Sequence, residues 1–160
     1  MTAPLIGEQL RLSPSRWQIW PVFGDVDRLA RVLPGCESLV ELGTNRFRGV
    51  LATRLQFLTL RADVTAHLTD LIPPDHLQLE LTGRPRGLAG GFEAIIPIDL
   101  AEGETGGTVI TYRVDLTTSG RLASFGAPIL RDTLRRQVAE LVRNLERELA
   151  STSAPPPTPD

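Results

Sequence analysis

The feature that most limits how this chain can fold is a period of two that runs, with interruptions, from Phe47 to Leu116. Phe47, Gly49, Leu51, Thr53 and Leu55 fall on one side of an extended chain, and Arg46, Arg48 and Arg54 on the other. From Leu58 the apolar set moves to even positions: Leu58, Leu60, Ala62, Val64, Ala66 and Leu68, opposite Arg61, Asp63, Thr65, His67 and Thr69. A change of parity inside strand-like sequence requires a bulge or a tight turn, here near Gln56-Phe57. Pro73-Pro74-Asp75 makes the next turn, after which Leu77, Leu79 and Leu81 alternate with polar residues. Gly83 to Gly91 reads as a Gly/Arg loop. Phe92, Ala94, Ile96, Ile98 and Leu100 form a further inward set, and Ile110, Tyr112, Val114 and Leu116 the last. Strands with one apolar face and short connections pair antiparallel.

Such a sheet needs a cover for its apolar face. The only element large enough is a helix over roughly 127–150, with the stripe Leu130, Leu134, Val138, Leu141, Leu145 and Leu149 at spacings of three and four. Its other face is charged, with Asp132/Arg136 and Arg136/Glu140 spaced to pair at about 0.3 kcal/mol each. Ahead of the sheet, Leu5 to Leu12 reads as a strand. Ser13-Pro14 then starts a short helix that Pro21 breaks, and Asp25 caps a second short helix ended by Pro34-Gly35. The fold class is therefore α+β: a helix-grip, with a curved antiparallel sheet wrapped around a long C-terminal helix and two short helices after the first strand. One domain spans 1–150. Residues 151–160 hold four Pro and no large apolar side chain, and are expected to form a disordered tail.

By parity the inner face is almost wholly apolar. Its polar exceptions are Thr53, the Tyr112 hydroxyl and Glu8. Small residues also point inward: Gly49, Ala62, Ala66 and Ala94. Two interiors fit this pattern equally, a core filled by neighbours such as Phe47 and Phe92 or an open apolar cavity. Composition narrows the chemistry. All 17 basic residues are Arg, so lysine Schiff bases and a phosphate-loop lysine are excluded. One Cys makes neither an internal disulfide nor a Cys-rich zinc site. A net charge of −2 argues against broad nucleic-acid binding. No run approaches the roughly 18 apolar residues of a membrane span, and Met1 to Leu10 lacks the features of a secretory signal. A cytoplasmic protein is expected. His67 and His76 read as surface residues, Cys36 as a packed junction residue, and Glu8 as part of a frayed strand end. The 83–91 loop reads as a mobile connection, with anion binding by Arg84 and Arg86 as the alternative. Leu55, Phe57 and Leu58 form an unusually apolar turn, suited either to burial in a bulge or to contact with a partner or membrane.

The stretch Trp20…Asp25-Val26-Asp27-Arg28-Leu29-Ala30-Arg31-Val32-Leu33-Pro34-Gly35-Cys36-Glu37-Ser38-Leu39 resembles the family of the carbon monoxide dehydrogenase G subunit, whose usual run is Trp, Asp-Pro, Leu-Ala and Pro-Gly-Cys-Glu. Leu68-Thr69-Asp70-Leu71-Ile72-Pro73-Pro74, Gly87-Leu88-Ala89-Gly90 and Gly120-Arg121-Leu122-Ala123-Ser124-Phe125-Gly126 are similar to its later motifs, so that the resemblance covers about 5–150. It implies a START-like, Bet v 1-like fold of the SRPBCC superfamily with a hydrophobic cavity. It also implies a non-catalytic accessory protein of molybdenum carbon monoxide dehydrogenase or a related molybdenum hydroxylase, one that helps place the enzyme at the membrane, with some members binding a quinone and carrying electrons. Val26 in place of Pro, Pro21 within a normally continuous helix, and Leu55-Gln56-Phe57-Leu58 in place of a Gly-Pro turn depart from the family pattern. The tail has no apolar anchor helix, so membrane contact is expected to be peripheral at most, at the inner face, with 55–58 as its candidate.

The expected function is that of a hydrophobic-ligand carrier for quinone or lipid, with no covalent cofactor, no metal and no catalytic residue. Menaquinone or another apolar molecule would lie against Phe47, Leu51, Ala62, Val64, Phe92, Ala94, Ile96, Tyr112, Val114, Leu134, Val138 and Leu141, with Tyr112 donating to a carbonyl head. Two alternatives stand beside it. A START-like enzyme of the polyketide cyclase or aromatase type needs Tyr112 and Glu8 to converge in one pocket. An assembly factor needs a filled core.

Overall fold

The computed structural model describes residues 5–152. In chain order the elements are β1 (Ile6–Leu12), α1 (Arg16–Ile19), a 3-10 turn (Trp20–Gly24), α2 (Val26–Val32), β2 (Cys36–Gly43), β3 (Arg46–Leu55), β4 (Leu58–Ile72), β5 (His76–Pro85), β6 (Phe92–Glu102), β7 (Thr108–Thr118), α3 (Gly120–Ala123) and α4 (Ala127–Thr152). The seven strands make one curved antiparallel sheet, ordered β1-β7-β6-β5-β4-β3-β2. Sequence neighbours pair from β2 to β7, and β1 closes onto β7 with Glu8 opposite Tyr112. α4 runs two residues beyond the expected helix end; the rest of the expected tail, from 153, lies outside the described residues.

Local chemistry accounts for the boundaries. Ser15, not Ser13, caps α1: its hydroxyl accepts from the Gln18 amide while the Gln18 side chain accepts from the Ser15 N–H. Pro21 cannot donate to an α-helical ladder, and the chain tightens into the 3-10 turn. Asp25 caps α2 by accepting from the Asp27 and Arg28 amides. The parity change at 55–58 is a two-residue hairpin: Leu55 pairs with Leu58, and Gln56 takes a left-handed φ of 56°. A second irregularity, which the sequence pattern does not announce, shifts the β4–β5 register between Thr69 and Ile72, with Asp70 at φ 52°.

The first three residues of the expected 83–91 loop are strand. Gly83, Arg84 and Pro85 continue β5, pairing with Val64, Asp63 and Ala62, so the connection is only 86–91. β6 pairing ends at Gly83, which leaves Pro85 with a strand neighbour on β4 alone, where its missing N–H disrupts no ladder. Gly83 itself is covered by the Phe92 ring, since a Cβ there would come within 2.3 Å of it.

Four packed clusters line the inner face. One joins Ile19, Val22 and Val32 to Leu12, Leu100, Ile110, Leu145 and Leu149. A second gathers Phe47, Leu68 and Leu77 against the short-helix region. A third holds Ile6, Ala94, Tyr112 and Val114 against Leu134 and Val138 of α4. The fourth, Leu55, Leu60 and Leu122 with Phe92, Phe125, Ile129 and Leu130, closes the end near the 55–58 hairpin.

Polar clips attach α4 along both flanks. Toward β1, Arg131 Nε donates to the Leu5 carbonyl and Arg135 Nε to Glu8, both at 3.0 Å. Toward β3, Gln137 Nε2 donates to Thr53 Oγ1 at 2.7 Å and Arg136 to the Arg54 carbonyl at 3.3 Å. Near its C-terminal end Asn144 donates to the Val32 carbonyl, and Glu148 binds Arg31.

Candidate ligand-binding site

Of the three inward alanines, Ala66 packs with Phe47, Leu68 and Leu77, Ala94 with Ile6, Tyr112 and Val114, and Ala62 with neither group. Ala62 and Val64 are buried but join none of the four clusters, and Leu51, opposite Ala62, joins none either. Leu81, Ile96, Leu134 and Val138 are packed against the third cluster and are themselves half-buried.

The expected lining residues divide accordingly. Ala94, Ile96, Tyr112, Val114, Leu134 and Val138 come together in one group. Leu51, Ala62 and Val64 lie on paired positions of β3 and β4 and join none of the clusters. Phe47 and Phe92 belong to clusters at opposite ends, and Leu141 packs toward the α2 end. The 55–58 turn also divides. Leu55 is 3% exposed and belongs to the core, because in a two-residue hairpin it shares the inner face with Leu60. Phe57 at 95% and Leu58 at 48% are left in solvent at the hairpin end.

Inner polar groups sit on the two flanks of α4. On one, the Tyr112 hydroxyl donates to Glu8 Oε2 at 3.2 Å, while Glu8 Oε1 accepts from Arg135. Glu8 is thus neither frayed nor alone: it is fixed in β1 with two partners. On the other flank stands the Thr53–Gln137 pair. Beside it a cleft of about 440 Å³ opens between β3 and α4, lined by Ala52, Thr53, Arg54, Arg136 and Gln137 among others. It exists because β2 pairing stops at Cys36–Leu51, which leaves the last residues of β3 beside the helix. Nothing in the sequence pattern singles out Arg135 and Gln137; they flank the apolar stripe, where polar residues are usually solvated.

Burial raises the Tyr112 phenol to about 12, with the nearby Glu8 carboxylate adding to the shift. A raised folded-state value means that the protonated phenol is favoured by folding. The linked stability is complete below the ordinary value near 10 and is lost as pH rises through about 12. Tyr112 is the sole tyrosine, so tyrosinate absorbance near ~295 nm reads it directly. The midpoint is expected near 12. It should fall in Glu8→Gln but stay above 10, because burial is the larger cause. A midpoint at 10 in the native protein would contradict the buried placement.

The remaining candidates lie elsewhere. His67 faces Glu80 across β4 and β5 at 3.6 Å, and His76 Nδ1 lies 2.7 Å from Asp99, so each is paired with a different acid. Burial pushes the Cys36 thiol up, against thiolate chemistry, and its sulfur lies 3.5 Å from the Ser38 carbonyl oxygen. Arg86 is bound to Asp63, which leaves the alternative Arg84/Arg86 anion site without one of its two arms. On the outer face of the sheet a depression of about 930 Å³ is lined by Arg48, Asp63, Thr65, Thr82, Arg84 and Glu93 among others. Its two arginines and two acids balance in charge, and Val64 and Phe92 also line it.

Among curated proteins none matches this sequence. Among solved structures, a conserved protein from Geobacillus kaustophilus is similar at 23% identity and TM-score 0.83, over 91% of this chain and 94% of the other. A START superfamily protein from Mycobacterium smegmatis aligns at 9% identity and TM-score 0.68, over 92% and 98% of the two chains. Ara h 8.0201 aligns at 14% identity and TM-score 0.65, over 91% and 97%. At these identities the likeness establishes the helix-grip fold. The sequence profile of the carbon monoxide dehydrogenase G subunit (CoxG) matches residues 9–150, nearly the whole described chain, and the chain belongs to that family.

Proposed function

We propose that this protein is a non-catalytic carrier of an apolar molecule, a quinone such as menaquinone or a lipid tail, and that it serves an oxidoreductase of the molybdenum-hydroxylase class. The observation that supports this reading is that the inward residues Leu51, Ala62 and Val64 join no packed cluster, under a helix whose inward Leu134 and Val138 stay half-buried. Family membership supports the oxidoreductase partner. Phe57 and Leu58, exposed at the hairpin end with Arg54 and Arg61 on the adjoining strand residues, are the candidates for a peripheral contact with that partner or with a membrane. Among the described residues no helix is long and apolar enough to cross a membrane.

A catalytic reading draws on one observation, the convergence of Tyr112 and Glu8 at 3.2 Å. Both Glu8 oxygens already accept hydrogen bonds, and the phenol titrates near 12, far from a working pH. Efficient proton transfer favours groups that titrate near the operating pH. The trio is better suited to holding a ligand head.

Native mass spectrometry of gently purified protein, before and after addition of menaquinone, tests the carrier. A retained apolar adduct, or one that forms with menaquinone, is expected. A protein that arrives empty and ignores menaquinone would remove the reading.

A further inference from the structure

A phenol carries one proton, and Tyr112 commits it to Glu8 Oε2. The expectation that Tyr112 donates to a ligand carbonyl therefore meets a donor already in use. What Tyr112 and Glu8 themselves still offer a ligand is lone pairs, on the Tyr112 oxygen and the Glu8 carboxylate; the remaining N–H groups beside them belong to Arg135, the more exposed side chain at 56%. The opposite flank has the reverse sense: Thr53 Oγ1 accepts from Gln137 and keeps its own hydroxyl proton. The interior thus has an acceptor spot near β1 and a donor spot near β3, separated by apolar wall.

We propose that the interior selects an apolar ligand whose head carries a hydroxyl over the same skeleton bearing only a carbonyl, and that this hydroxyl lies against Tyr112 and Glu8. The proposal rests on the carrier reading and adds the chemistry of the head. A hydroxyl donates into the lone pairs without disturbing the Tyr112–Glu8 bond. A carbonyl must draw the phenol proton away, leaving the carboxylate with one donor fewer, or else face two acceptor oxygens. A hydrogen bond to a charged acceptor corresponds to roughly tenfold or more in affinity.

Three probes of one skeleton separate the outcomes: 2,3-dimethylnaphthalene without a head, 2,3-dimethyl-1,4-naphthoquinone, and its hydroquinone kept reduced under anaerobic conditions. Calorimetric titration of the full chain is expected to give about tenfold tighter binding of the hydroquinone than of the quinone. In Glu8→Gln, where an amide donor replaces one acceptor oxygen, the ratio should fall to within about threefold. A quinone that binds the native protein as tightly as the hydroquinone, or a ratio unchanged in Glu8→Gln, overturns the preference and leaves the carrier standing. Failure of all three probes, the headless one included, overturns both. The comparison on the native protein decides the proposal even where the variant is unstable.

Discussion

Gly35→Ala is expected to destabilise the chain by roughly 2–5 kcal/mol, the sum of about 1–2 for a left-handed backbone and about 1–3 for overpacking. Gly35 has φ +68°, and a Cβ on it would lie 1.9 Å from the Ala52 carbonyl oxygen. That carbonyl cannot swing aside freely, because the Ala52 N–H donates to the Gly35 oxygen at 2.8 Å and the junction of α2 with the sheet is built on this contact. Urea unfolding followed by circular dichroism measures the loss. Gly24→Ala is the matched control: nothing lies within 4 Å of its Cβ position, and no comparable loss is expected. A loss below about 1 kcal/mol at Gly35 would mean that the backbone there relaxes. The same contact gives a physical reason for the glycine of the Pro34-Gly35-Cys36-Glu37 junction: the motif carries the close approach of two backbones, not a reactive thiol.

Ala62→Phe is expected to weaken binding of the headless naphthalene by at least about tenfold, since a ring projecting from the sheet centre would occupy the proposed ligand volume. Its effect on stability discriminates the two interiors that the sequence leaves open. Introduced into a filled core, the ring would cost about 1–3 kcal/mol through overpacking. Introduced beside Leu51 and Val64, which join no packed cluster, it should cost less than about 1 kcal/mol. Thermal unfolding and calorimetric binding on the same preparation measure both quantities. A large stability loss would favour the assembly-factor reading with its filled core.

The sheet is legible because period-two patterning is a direct record of which face is buried, and every strand from Phe47 to Leu116 carries it. The hairpin at 56–57 is legible as a change of parity, but the fate of its residues is not. Whether Leu55 faces inward or outward depends on the turn being two residues long, and Gln56 at positive φ is not a residue that announces such a turn. The strand residues Gly83 to Pro85 read as loop because Gly and Pro punctuate most chains; here the Phe92 ring covers the glycine and an edge position accommodates the proline. At the site, parity places Tyr112 and Glu8 inward one by one. Their mutual bond is beyond it, because that bond depends on β1 returning to pair with β7, across 104 positions of sequence. Arg135 and Gln137 lie on the margins of the helix stripe, where pattern says only that a residue is polar.

The attachments of α4 have a dynamic consequence. The sheet ladder is continuous from β1 to β2, whereas the helix reaches both flanks through separate side-chain bonds to Leu5, Glu8, Thr53 and the Arg54 carbonyl. Releasing the Thr53 and Arg54 clips widens the passage beside β3 without breaking one strand-to-strand bond. An opening by that route would leave the strand-to-strand ladder intact. On the proposed carrier reading, a molecule would exchange through that opening while the sheet stays intact.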